Sequence, residues 1–190
     1  MTLQRCNAVL SALVAIVTGL LLVAPSAMAD QSSSAYKLGG AWVAKVVGVP
    51  GHWTYVVAAD PSRRTAAGYG SVDSGLRTEV FFGPAFEPSD KMSPILVEIA
   101  MTAPDTASYY SVFYGLKTLE APSPISTEIV YIGVVTGELK FVGPGKAEGT
   151  HNFAYYYPTQ DADGDGFPDE GETTPYMFQL NTIDTRLPSP

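Results

Sequence analysis

The chain has 190 residues, 46% of them hydrophobic, and a formal net charge of −8 from 11 basic and 19 acidic side chains. An acidic chain of this kind offers no cationic surface for nucleic acid, and its apolar content excludes a disordered protein. The 15 prolines, 18 glycines and 11 tyrosines are typical of an all-β domain, because glycine and proline break helices and tyrosine favours strands.

The first 29 residues have the pattern of a signal peptide. Arg5 precedes an uncharged apolar run at residues 8–24, and Ala27 and Ala29 have the small-x-small spacing that signal peptidase cleaves. We therefore predict a signal peptide at 1–29, a polar tether at 30–35 and a periplasmic or secreted domain without a stable membrane anchor. An uncleaved anchor is the alternative, because the apolar run approaches the length of a short spanning helix.

Residues 36–190 predict a single β domain of eight or nine short strands. Trp53, Tyr55 and Val57 alternate with smaller residues and fall on one face of a strand. Turn signals at 60–62, 103–105, 136–137 and 143–145 separate the segments. The predicted strands are 36–49, 52–60, 65–72, 95–102, 108–117, 125–135, 139–142, 151–157 and 176–187. This spacing predicts a single antiparallel barrel of about eight strands, with a β-sandwich as the alternative.

The two ends of this domain carry a G-x-W motif, Gly40 and Trp42, and an arginine in the last strand, Arg186. The combination resembles the lipocalin and wider calycin pattern. That resemblance implies an up-and-down barrel in which Trp42 lies at the closed end and Arg186 covers its ring. The alternative is that Trp42 is an ordinary core aromatic residue and Arg186 a surface charge.

The segment 161–172 reads DADGDGFPDEGE and matches the calcium loop D-x-[DN]-x-[DN]-G-x5-E at every specified position. Calcium takes six to eight oxygen ligands, and the glycine at loop position six allows the sharp turn around the ion. We therefore predict a calcium cofactor. Its ligands are the side chains of Asp161, Asp163, Asp165, Asp169 and Glu172, together with the backbone carbonyl of Phe167.

The flanks of this loop read as strands, so the two helices of a true EF-hand are missing. Pro168 at loop position eight has no N–H to donate, which disfavours pairing with a second loop. The loop resembles those of other exported calcium proteins, the dockerin-type and thrombospondin type 3-like repeats, used here once between two strands. A solvated acidic loop without metal is the alternative.

No catalytic signature is present, and Cys6 lies before the apolar run, which leaves the mature domain without a thiol. His52 and His151 are interpreted as surface or rim residues. The first functional hypothesis is a barrel that binds a small apolar or aromatic ligand. Its candidate ligand-facing residues are Phe81, Phe82, Phe86, Tyr109 and Tyr114.

The second hypothesis is a structural or interaction exoprotein that presents a calcium-rigidified loop to an extracellular partner. An interior void of about 300 Å³ would favour ligand binding over this reading. A small barrel isomerase or cyclase is the third class, and no residue in the sequence supports it.

Overall fold

The computed structural model describes residues 37–72, 86, 89–120 and 127–188. The predicted signal peptide and tether lie outside these residues, and so do Phe81 and Phe82. Within the described ranges, no helix has both the length and the hydropathy that crossing a membrane requires. The strands are β1 Gly40–Val46, β2 His52–Asp60, β3 Thr65–Val72, β4 Lys91–Met92, β5 Ile95–Ala103, β6 Thr106–Thr118, β7 Thr127–Gly143, β8 Lys146–Tyr156 and β9 Tyr176–Arg186.

Eight of these strands form one closed antiparallel barrel in the order β6-β5-β3-β2-β1-β9-β8-β7, and the pairing of β6 with β7 completes the ring. The first and last strands are neighbours, with Trp42 opposite Arg186. The two-residue strand β4 pairs with β6 beyond the start of β5. The predicted barrel is therefore confirmed, and the sandwich alternative is wrong.

Strand β7 corrects the prediction of two separate strands at 125–135 and 139–142. The sequence predicts a turn at Thr136 and Gly137, but both lie inside one continuous strand of 17 residues. Gly137 is opposite Tyr109 on β6 and His151 on β8. A Cβ at this position would overlap the carbonyl oxygen of Thr150 and lie 2.8 Å from the Tyr109 hydroxyl. Close packing across the sheet, rather than a turn, accounts for this glycine.

Inward side chains alternate with outward ones along most strands, as the period of two requires, and they form the core of the barrel. Strand β7 is the exception, since residues 130–135 are all buried and Ile132 and Val134 belong to a separate cluster with Val112.

Trp42 and Leu38 are buried where β1 begins, and the indole N–H of Trp42 donates to the Leu38 carbonyl at 3.0 Å. The indole stacks on Tyr55 with ring centroids 6.2 Å apart. Arg186 packs against Gly40, where a Cβ would come 2.7 Å from its Nε atom. This end of the barrel is therefore held by aromatic packing and by close contact between the first and last strands.

We expect the Trp42→Ala substitution to destabilise the fold by about 3–5 kcal/mol, because it empties a large buried site that the barrel cannot collapse to fill. Urea denaturation measures the change in unfolding free energy. Tyr69→Ala is the control, since Tyr69 is 62% exposed on β3 and its loss should cost less than about 0.5 kcal/mol. A similar cost for both substitutions would contradict the role of Trp42 in closing the barrel.

Candidate ligand-binding site

A cavity of about 80 Å³ lies inside the barrel. One buried water needs roughly 10–15 Å³, so this space is several times larger than a single water site. Most of its wall is apolar, and a smaller polar region lies on one side. The apolar wall comprises Trp53, Met92, Ile95, Val97, Ile99, Val135, Leu139, Phe153, Tyr155, Phe178 and Leu180, and the polar region comprises Tyr55, Tyr109, Ser111, His151 and Asp184.

Four residues of the polar region, Tyr109, His151, Asp184 and Tyr55, are joined through Thr182 into one connected chain of hydrogen bonds, which we call the polar array. The Tyr109 hydroxyl contacts Nδ1 of His151, and Nε2 of His151 lies 2.7 Å from the Thr182 hydroxyl. Thr182 donates to Oδ1 of Asp184 at 2.6 Å, and Tyr55 donates to Oδ2 at 2.7 Å. Each polar atom of the chain therefore has a partner, although His151, Thr182 and Asp184 are all buried.

Small residues on β7 and β8 make room for the polar array. Gly149 is opposite Thr182, and a Cβ there would overlap Nε2 of His151 and lie 2.5 Å from the Thr182 hydroxyl. Gly137 lies between Tyr109 and His151 in the three-strand register. Because neither glycine has a side chain, the Tyr109 and Thr182 hydroxyls can reach the imidazole from two sides.

Burial dominates the electrostatics of the polar array. It lowers the pKa of His151 to about 3, so the imidazole is neutral. Burial raises the pKa of the Asp184 carboxyl, while the hydrogen bonds from Thr182 and Tyr55 act in the opposite direction. Burial, followed by the charge of Asp184, raises the pKa of both Tyr55 and Tyr109.

The interpretation of His151 as a surface or rim residue is wrong, because the side chain is only 4% exposed and lies between Tyr109 and Thr182. Sequence reasoning also missed Tyr55, Thr182 and Asp184 as site residues. The strand period could have indicated two of them, because Thr182 and Asp184 share the inward face of β9 with Phe178 and Leu180.

The predicted ligand-facing residues fall in different places. Tyr109 lines the cavity. Phe86 is buried in the core against Tyr131 and Tyr155 but does not line the cavity. The prediction for Tyr114 is wrong, because its hydroxyl donates to the Gly166 carbonyl at 3.0 Å and its ring packs with an outer cluster that includes Val112. It lies five positions after Tyr109, and an odd spacing places two residues on opposite faces of a strand.

The acidic loop between β8 and β9 brings three of its five predicted side-chain ligands together. Carboxylate oxygens of Asp161, Asp163 and Asp169 all lie within 4.8 Å of one another. Oδ1 of Asp161 is buried without a hydrogen-bond partner, and Oδ2 accepts from the Gly166 N–H at 3.0 Å. Gly166 has φ of +91°, a conformation that glycine adopts without strain.

The other two predicted side-chain ligands are not part of this cluster. Asp165 accepts from the Phe167 N–H at 2.8 Å, and Glu172 accepts from the Gln160 side chain at 2.8 Å. The Phe167 ring packs on Tyr110 with centroids 6.1 Å apart. Together with the bond from Tyr114 to Gly166, this contact holds the loop against the outer face of β6.

Comparison with known proteins gives one structural similarity. EF1p2_mFAP2b bound to DFHBI, a solved structure, has 16% sequence identity to this chain and a TM-score of 0.44, and the alignment covers 83% of this chain and 99% of that one. No protein-family model matches the sequence, and neither does any curated protein. Similarity at this level establishes no shared function.

Acid should destabilise the fold through His151. Its pKa is about 3 in the folded protein against 6.5 ordinarily, so between these values only the unfolded chain binds a proton there. Stability therefore falls as the pH falls through this window, by up to about 1.4 kcal/mol per pH unit. The raised pKa of Asp184 acts with the opposite sign, and the His151→Gln variant retains that carboxyl.

Urea denaturation of wild type and His151→Gln across this pH window measures how much His151 contributes to the pH dependence of the unfolding free energy. We expect a flatter acid slope in His151→Gln, whereas His52→Gln, which leaves the polar array intact, should keep the wild-type slope. Equal slopes in wild type and His151→Gln would contradict a buried neutral imidazole.

Proposed function

We propose that this protein is an exported β-barrel that binds a small apolar or aromatic ligand in its interior and calcium in its acidic loop. The observation that carries the ligand proposal is the combination of an apolar cavity with a single group of hydrogen-bonded polar side chains at its wall. Ligand sites generally have this composition: apolar contacts contribute most of the affinity, and a few fixed polar groups set the orientation.

The size of the cavity limits the ligand. Drug-sized molecules occupy sites of about 300 Å³ or more. This cavity is about 80 Å³, smaller than the void that would by itself favour ligand binding over the structural or interaction exoprotein, so the ligand proposal rests on the composition of the wall. A cavity of about 150 Å³ holds benzene. A ligand of one substituted ring, with Trp53, Phe153 and Phe178 as its aromatic contacts, therefore needs side chains of the wall to move outward.

The polar array favours binding over acid–base catalysis. An isomerase or cyclase needs a proton-transferring group that reaches the ligand. Both ring nitrogens of His151 are instead engaged, Nδ1 by Tyr109 and Nε2 by Thr182. The tyrosine hydroxyls are the atoms that remain for a ligand, and burial raises their pKa values away from neutrality.

Binding is tested by ¹⁹F NMR titration with a panel of small para-substituted fluorobenzenes. The Leu180→Trp variant fills the cavity, and we expect it to weaken the binding of any panel member by about tenfold or more, because the added ring takes the place of the ligand. Met177→Trp is the matched control, since Met177 lies on the same strand and is 64% exposed.

Thermal melting of both variants checks that each is folded. Absence of binding by every panel member to wild type would contradict the ligand proposal and favour the structural or interaction exoprotein. Equal binding to wild type and Leu180→Trp would place the ligand outside the barrel.

Two observations support the calcium proposal. The carboxylates of Asp161, Asp163 and Asp169 converge without a basic side chain among them, so a cation would relieve their repulsion. The buried, unpartnered Oδ1 of Asp161 is an oxygen that a cation would satisfy. Export through the predicted signal peptide suits such a site, since extracellular calcium modules bind at about 10⁻⁴–10⁻³ M.

We expect calcium to raise the melting temperature, with a stabilisation of about 2.7 kcal/mol when free calcium is 100 times the dissociation constant. Isothermal calorimetry measures the heat of calcium binding, and thermal melting measures the stabilisation. The double variant Asp161→Ala, Glu172→Gln should lose them, while Glu170→Gln, at a loop position that supplies no predicted ligand, should retain them. No heat and no shift up to about 10 mM calcium would contradict this proposal.

A further inference from the structure

The direction of each hydrogen bond in the polar array follows from Asp184. Both carboxylate oxygens are within 2.7 Å of a hydroxyl, the arrangement of an ionised acceptor. Thr182 has one proton, which it donates to Asp184, so it must accept from Nε2–H of His151. The neutral imidazole then has no proton on Nδ1, and Tyr109 donates to that atom. The protons of the chain therefore run toward Asp184 from both ends.

This ordering makes the hydroxyls of Tyr55 and Tyr109 hydrogen-bond acceptors toward the cavity. The protons of Tyr55 and Tyr109 are directed to Asp184 and His151, so each phenolic oxygen presents lone pairs to a ligand. Ser111, the third hydroxyl of the polar region, directs its proton to the Val135 carbonyl at 3.4 Å, while Tyr155 and Trp53 carry the other hydroxyl and N–H groups of the wall. A ligand head group that only accepts hydrogen bonds therefore finds no free hydroxyl proton among Tyr55, Tyr109 and Ser111.

The negative charge of the wall also disfavours a ligand that carries a carboxylate. Asp184 is fully buried, and among the described residues that line the cavity there is neither a lysine nor an arginine. A carboxylate ligand would lose its hydration and face Asp184 without a counter-charge, which is strongly unfavourable in an apolar site.

We infer that the ligand carries a hydrogen-bond donor, a hydroxyl or an amine on an apolar or aromatic body, which is held by the oxygens of Tyr55 and Tyr109, and that carboxylates are rejected. This inference rests on the proposed function and specifies the ligand class for the same cavity. The hydroxyl and amine forms share the donor chemistry, and the experiment separates them.

The test ranks four probes that differ in one substituent: 4-fluorophenol, 4-fluoroaniline, 4-fluoroanisole and 4-fluorobenzoate. We expect the phenol or the aniline to bind the wild-type protein about tenfold more tightly than the anisole or the benzoate, because only the first two can donate to the tyrosine oxygens. Comparison of the phenol with the aniline identifies the preferred donor.

The Asp184→Asn variant should weaken this preference. If its amide donates to Tyr55, the Tyr55 proton is released toward the cavity. If the amide donates to Thr182, Thr182 donates to His151, the imidazole tautomer changes and the Tyr109 proton is released instead. Either orientation adds one donor and removes the charge, so anisole and benzoate should gain affinity relative to phenol. Glu148→Gln, an exposed acid on β8, should leave the ranking unchanged.

The outcomes separate this inference from the proposed function. Binding of anisole or benzoate to wild type as tightly as phenol and aniline would overturn the donor inference while leaving ligand binding intact. Failure of all four probes would overturn both. Should Asp184→Asn fail to fold, the wild-type ranking alone decides the inference.

Discussion

The Asp184 carboxylate is the constraint on which the interior of this barrel depends. A charge buried in an apolar core is tolerated when its oxygens are hydrogen-bonded, and here the donors come from Tyr55 on β2 and Thr182 on β9. Thr182 in turn accepts a hydrogen bond from His151, and His151 accepts one from Tyr109. One acid on the last strand thereby fixes the tautomer of a histidine on β8 and the hydroxyl of a tyrosine on β6. The polar side of the cavity follows from these requirements.

The sequence predicted the barrel and the pairing of its ends because both depend on local signals. Alternation placed Trp53, Tyr55 and Val57 on one face, and the structure has Trp53 and Val57 buried and Tyr55 in the cavity wall. The G-x-W motif and Arg186 indicated that the first and last strands meet, and they do. The cluster within the acidic loop was also foreseeable, since its ligand spacing is contained in twelve consecutive residues. What remains a prediction there is the metal itself.

The sequence failed where one residue's role depends on two other strands. Gly137 has the local features of a turn, yet it lies in a strand, opposite Tyr109 and His151. Its lack of a side chain leaves space between them, which only the register of the three strands shows. His151 has the sequence context of a rim residue because its neighbours on the same face of the strand, Gly149 and Phe153, offer an imidazole no side-chain hydrogen bond. Tyr114 is different: its odd spacing from Tyr109 already excluded a shared face, and strict use of the strand period would have placed it outside.

The closure of the barrel also has a consequence for the order of folding. Most strand pairs join segments that follow one another along the chain, and such hairpins form with little loss of loop entropy. The pairing of β1 with β9 is the long-range step, and the bond from Tyr55 to Asp184 joins residues 129 positions apart. Contacts of such high sequence separation are the ones that slow folding. The polar side of the cavity depends on this pairing, because β9 supplies Thr182 and Asp184, which accept from His151 and Tyr55.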